Sequence, residues 1–309
     1  MIRKPTLVIF GAGVSSEYGF PLGRSLLLEI VRELEKPTIL RQSMEACGFN
    51  SNLIVRFQRE LNGSGQPSVD AFLEAHQKDP EYERLGKAAI AASLIPKEVP
   101  HRLYDRSSLK LYEHFWHQMS ATPNTYSSNQ LSILTFNYDR SFEQYLYSVL
   151  EASHPEFRDR GQPLRQAFSS FDVIHIYGSL GALERDSPSH LAFGGQDYPL
   201  GPGTILSSAD RIKLYHQAQF DDNTLERIKL RIGEAERICF LGFGFYPVNI
   251  RILKFCGLGE NKNTKHFASA FGLKEGERES IRRLLGFTVE FTDAKSLDAI
   301  RTFPVLISS

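Results

Sequence analysis

Cysteine is scarce: Cys47, Cys239 and Cys256 are the only three in 309 residues, and no two are close in sequence. An odd, scattered set excludes a disulfide framework and fits a reducing compartment, and without a Cys-x-x-Cys pair no cysteine-bound zinc is expected. Net charge is also missing, since Lys+Arg and Asp+Glu both total 36. No global field therefore draws the chain to nucleic acid or to an anionic membrane, and direct nucleic-acid binding is not expected. Nor is there an apolar run approaching the roughly 18 residues that span a bilayer. Met1–Pro5 leads straight into the strand-like Thr6–Phe10 with no apolar leader, so a cytoplasmic protein without membrane attachment is expected. Internal repeats and low-complexity tracts are absent.

What is present is an ordinary folded composition, 41% hydrophobic and 23% charged. Short, nearly continuous apolar runs recur at Thr6–Phe10, Leu131–Phe136, Val173–Tyr177, Ile238–Phe243, His266–Phe271 and Phe287–Phe291. Strands of this kind are buried on both faces, as in a parallel sheet covered by helices. The last two flank Glu275–Leu285, where Ile281, Leu284 and Leu285 have helical spacing, giving a βαβ unit. Helices are predicted at Ser25–Leu34, Asn52–Leu61, Val69–His76, Tyr82–Leu94 and Leu109–Ser120, the last with an apolar stripe of Leu109, Tyr112, Phe115, Trp116 and Met119. The expected fold is α/β: a Rossmann-like, mostly parallel sheet with helices on both faces and an inserted helical module. One domain is expected over residues 1–309, with its core in 1–24 and 128–309 and the insertion in 25–127. The stretches His154–Ser170 and Gly181–Asp210, the second with Gly194-Gly195 and Pro199–Pro202, are expected to be lids or rims rather than core.

Four segments carry candidate chemistry. After the first strand, Gly11-Ala12-Gly13-Val14-Ser15 leads through Gly19, Pro21 and Gly23 into a helix, an arrangement that lets backbone N–H groups approach a phosphate. The same glycines also serve a merely tight βα turn. Their spacing is GxGx5G rather than GxGxxG, and no second strand carries an acidic residue some 20 positions later, which disfavours a dehydrogenase. Thr135-Phe-Asn137-Tyr-Asp139 puts two polar side chains just past a buried strand, where ligands bind in open α/β sheets, although either can instead cap the helix Ser141–Leu150. His175-Ile-Tyr177-Gly178-Ser179 places His175 and Tyr177 on one strand face by alternation. Histidine suits proton transfer near neutral pH, against the alternative of a hydrogen-bonded core residue. Finally, Gly242-Phe-Gly244 ends another strand in a glycine loop, which serves a nucleotide or a close backbone contact.

In this order, GAGVSSEYGFPLGRS, TFNYD, HIYGS and the late GFGF loop resemble the sirtuin family of NAD-consuming enzymes, and most closely the sirtuin-like domains of bacterial anti-phage defence. The resemblance implies that Gly11, Ala12, Gly13 and Ser15 form the phosphate and ribose loop, joined by Arg24, Gly178, Ser179, Gly242 and Gly244. It implies that Asn137 and Asp139 handle the nicotinamide ribose, water and carboxamide. His175 is assigned as general base, with Tyr177, which stands where family members have histidine, as its neighbour or replacement. Gly23 replaces a loop phenylalanine that in the deacylases shields the ribose, which suggests access for water and hydrolysis in place of acyl transfer; the four zinc cysteines of the deacylases are absent too.

The implied function is NAD glycohydrolysis, with NAD as substrate and no metal, in a gated effector of anti-phage defence by NAD depletion. A homo-oligomer, and a HerA-type ATPase or other defence-system partner, are expected. The alternatives are a non-catalytic NAD- or ADP-ribose-binding regulatory or scaffold subunit, and a protein deacylase or ADP-ribosyltransferase.

Overall fold

The computed structural model describes residues 1–105, 107–119, 123–154, 172–183, 187–194, 199–215 and 220–303. Six strands form one sheet: β1 (Thr6–Phe10), β2 (Leu131–Thr135), β3 (Asp172–His175), β4 (Arg237–Leu241), β5 (Lys265–Ser269) and β6 (Glu290–Thr292). Their order is β3-β2-β1-β4-β5-β6 and every neighbouring pair is parallel. The chain is thus α/β with a Rossmann-like sheet. Chain order reverses between β1 and β4, and a doubly wound sheet opens its binding crevice at the carboxyl ends flanking such a reversal.

Alternation along each strand divides the core. Val8 and Phe10 of β1, Leu131 and Ile133 of β2, and Cys239 and Leu241 of β4 face one side, while Leu7, Ile9, Leu134, Ile238 and Phe240 face the other. The first side is covered by the segment between β1 and β2. After a short turn α1 (Ala12–Ser15), it contains α2 (Gly23–Glu35), α3 (Ile39–Ala46), α4 (Ser51–Gly63), α5 (Val69–Ala75), α6 (Pro80–Leu94), α7 (Pro100–Leu103) and α8 (Leu111–Met119). Helix α9 (Ser141–Ser153) joins this side through Phe142, Tyr145, Leu146 and Leu150. The second side is closed by α11 (Asp222–Glu234), α12 (Pro247–Phe255) and α13 (Glu275–Leu285), which bury Ile228, Ile250 and Ile281 among their apolar residues. Helix α14 (Ser296–Thr302) returns to the first side.

The predicted helices and strands form within a few residues of their expected bounds. Helix α3 was not expected; Thr38 caps it by accepting from Arg41 N at 3.4 Å. In α8, Tyr112, Phe115 and Met119 are buried, but Leu109 precedes the helix and is exposed. The larger correction concerns Gly181–Asp210. It is not merely a rim: Leu191 and Leu200 are buried, and α10 (Pro202–Ala209) inserts Ile205 and Ala209 into the core shared with α6. The glycines and prolines that suggested a loop instead punctuate this segment, with Pro202 in the first turn of α10. The loop expected at His154–Ser170 lies, after its first residue, outside the described residues, as does Gly195. Among the described residues, no helix is long and apolar enough to cross a membrane.

Candidate functional site

Gly11 leaves β1 in extended backbone and begins α1. A Cβ on Gly11 would stand 2.5 Å from Gly242 O, one on Gly13 would stand 2.6 Å from Gly242 Cα, and one on Gly242, at φ +57°, would stand 2.4 Å from Val14 N. Gly13 N–H also donates to Gly242 O at 3.0 Å. The loops after β1 and β4 therefore touch backbone to backbone across the reversal, and glycine is required at all three positions for that reason alone. Ala12 and Ser15 lie on the same turn; Gly244 is exposed.

Asn137 follows β2 and crosses to this turn. Its Nδ2 donates to Gly11 O at 3.1 Å and to Ser15 Oγ at 2.9 Å. A carbonyl can only accept, so Gly11 fixes which end of the amide faces it. Asn137 Oδ1 is left accepting nothing among the described residues. Two residues on, buried Asp139 accepts through Oδ1 from Ser141 N at 3.1 Å and from the Ser141 hydroxyl, whose oxygen lies 2.7 Å from Tyr112 OH. Asp139 thus ties down the first N–H of α9, as the capping alternative required. Burial pushes its carboxyl up, partly offset by hydrogen bonds from Ser141 and Ser15.

His175 ends β3 between two acceptors. Nδ1 is 2.9 Å from Asn137 O and Nε2 is 2.5 Å from Glu143 Oε1. Burial is the largest single influence and would lower the histidine, but the facing Glu143 carboxylate, the Asn137 carbonyl and the charge of Asp139 together outweigh it and the net direction is up. With a carbonyl at Nδ1, that nitrogen must carry a proton; Nε2 then carries a second, or receives one from Glu143. Neither arrangement leaves a lone pair for water, so in this conformation His175 cannot serve as the general base expected of it. Its geometry fits a positioning residue for the Asn137 backbone.

Tyr177 lies beyond the end of β3 and does not join His175 on a common group. Its hydroxyl donates to Asn249 Oδ1 of α12 at 2.7 Å, and its ring meets Phe136 edge-on. Alternation predicted a shared face, but the strand stops at His175 and the chain turns at Gly178, φ +74°, where a Cβ would meet Arg211 O. Ser179 Oγ donates to Gly181 O at 3.2 Å. Arg24 is exposed in the first turn of α2, with no ion pair among the described residues. The structure accordingly brings together Ser15, Asn137, Asp139 and, through the Asn137 carbonyl, His175, whereas among the described residues Tyr177, Gly178, Ser179 and Arg24 make no hydrogen bond to them.

The first three line a small cavity with Thr135, Ser141 and Glu143. It has room for roughly one water, among several polar partners. Ser141 and Glu143 were missed in the sequence, although an Asp side chain before a helix commonly accepts from the residue two positions on, as Asp139 does from Ser141. Tyr112, from the helical insertion, carried no such signal. Behind this group Arg140, 1% exposed, pairs with Glu98 and donates to Leu191 O at 2.6 Å, fastening α9 to the insertion and to the Gly181–Asp210 segment. Burial raises Glu98 despite Arg140 beside it. Comparison with protein-family models, with curated proteins and with solved structures gives no match to the chain.

Proposed function

We propose that the chain is an NAD glycohydrolase of sirtuin-like type, splitting NAD with water into nicotinamide and ADP-ribose. The observation that carries this is the one-water cavity of Ser15, Asn137 and Asp139 at the carboxyl ends of β1 and β2, beside the reversal of the sheet. A dinucleotide does not fit inside it, so the substrate lies along the crevice and only the attacking water enters. Asn137 Oδ1 accepts one hydrogen bond from that water and orients it. Asp139 takes over the base role: burial raises its proton affinity, and its carboxylate shares the cavity. The nicotinamide–ribose bond breaks with its electron pair going to nicotinamide, the water oxygen bonds to the anomeric carbon, and the released proton goes to Asp139. An oxocarbenium-like centre gains from a nearby carboxylate, as in other glycosyl transfers.

The test is to incubate the full chain with NAD, alone and with the products of neighbouring genes, and to quantify nicotinamide and ADP-ribose. Turnover that falls about 10²-fold in Asn137→Ala is expected, the cost of losing the orientation of the attacking water. Absence of both products under all conditions would sink the proposal. Uncontrolled NAD loss would harm the host, so activity gated by oligomerisation or by a partner such as a HerA-type ATPase belongs to the same proposal, as an effector of anti-phage defence.

One feature favours a second reading, a regulatory subunit that binds NAD or ADP-ribose without cleaving it. The loops bearing Gly11 and Gly242 hold each other closed, and His175 has no free lone pair. Saturable NAD binding with no product would select it.

A further inference from the structure

Asp70 is a carboxylate with no cation beside it among the described residues. It comes from the helical insertion, in the first turn of α5, whose N-terminus Ser68 caps by accepting from Ala71 N at 3.2 Å. Tyr138, buried immediately after β2, donates its hydroxyl to Asp70 Oδ1. Burial pushes the Asp70 carboxyl up, partly offset by this hydrogen bond and by Asp70's own backbone N–H, while no Lys, Arg or His among the described residues contributes. Oδ2 accepts no side-chain hydrogen bond among them, and the side chain is only half-buried. A carboxylate is expensive to bury without a cation, and one with an oxygen to which no side chain among the described residues donates is a ligand-binding candidate.

Its placement says which ligand chemistry suits it. Tyr138 lies between Asn137 and Asp139 in sequence, and Asp70 exerts its charge on Tyr177 as well, so it stands over the exits of β2 and β3. A Cβ on Gly23 would be 3.3 Å from Ser68 Cβ, which brings the loop after α1 alongside the start of α5. A carboxylate with one oxygen fixed and the other open accepts from neighbouring hydroxyls, the way dinucleotide folds hold a ribose with an acid at the end of the second strand. Here the acid that follows β2, Asp139, lines the water cavity, and an inserted helix brings a second acid to the neighbouring Tyr138.

We propose that Asp70 binds the hydroxyls of the ribose adjoining the scissile bond; this rests on the NAD-cleaving reading. The discriminating probes are ADP-ribose, which has that ribose, and ADP, which lacks it, titrated calorimetrically into the wild type and Asp70→Asn. Asparagine keeps an acceptor for Tyr138 and removes the charge. The wild type is expected to prefer ADP-ribose, and Asp70→Asn to weaken ADP-ribose about 10-fold with ADP unchanged, the effect of losing one charged hydrogen-bond acceptor. Equal weakening of both ligands, or none, overturns the assignment of Asp70 and leaves the nucleotide-binding reading standing. A wild type that binds neither, alone or with its partners, removes both.

Discussion

At the scale of single residues, His175 shows how a side chain of suitable chemistry is given a different task by its neighbours. The sequence showed a histidine at the end of a buried strand and allowed either a proton acceptor or a hydrogen-bonded core residue; partners 38 and 32 positions away decide the matter, and neither is visible in HIYGS. The ion pair has a measurable signature. A folded histidine whose proton affinity is raised contributes stability that is fully present below its unfolded value, near 6.5, and is lost as pH rises through the folded value. His175→Gln should therefore cost about 1–3 kcal/mol near pH 6. By pH 9 the gap in denaturant midpoints between wild type and variant should have narrowed. A gap that is constant or widens with pH would show that the pair does not hold its proton as described.

Among the elements, the two glycine loops are the sharper case. Gly272, at φ +77° with open space around its missing Cβ, and Gly242, at φ +57° with Val14 N 2.4 Å away, share a left-handed backbone but not an environment. Alanine at Gly272 should cost about 1 kcal/mol, the strain of that conformation. Alanine at Gly242 should cost at least about 2 kcal/mol, because the loops after β1 and β4 must also separate. Comparing urea midpoints of the two variants isolates the inter-loop contact, and equal losses would argue against it. The strands were legible from their near-continuous apolar runs because a doubly covered parallel sheet writes that pattern directly. Glycine spacing was legible too, but not its reason: GxGx5G reads the same whether backbone or phosphate fills the space. The Gly181–Asp210 segment misled because proline and glycine at element ends resemble loop composition, whereas its burial depends on packing against α6, about 110 residues earlier in the chain.

For the molecule as a whole, the decisive feature is that the insertion has no core of its own. One apolar cluster runs from Ile54 and Phe57 of α4, through Phe10 and Leu241 of the sheet, to Ile300 of α14, with Arg140 and Glu98 buried where insertion, sheet and the Gly181–Asp210 segment meet. Shared burial couples stabilities: the insertion cannot unfold without exposing the side of the sheet that it covers, and the sheet loses its cover at once. The chain carries a single tryptophan, Trp116, on α8 of the insertion, packed on the same core with its ring stacked 5.7 Å from Tyr126. Its fluorescence reports on the insertion, while far-UV circular dichroism reports on every helix. The two should trace one coincident urea transition, the mark of a cooperative unit. An earlier tryptophan transition would mean that the insertion folds on a separate footing, and that Tyr112 and Asp70, which it supplies, reach the sheet only through a domain contact that can open.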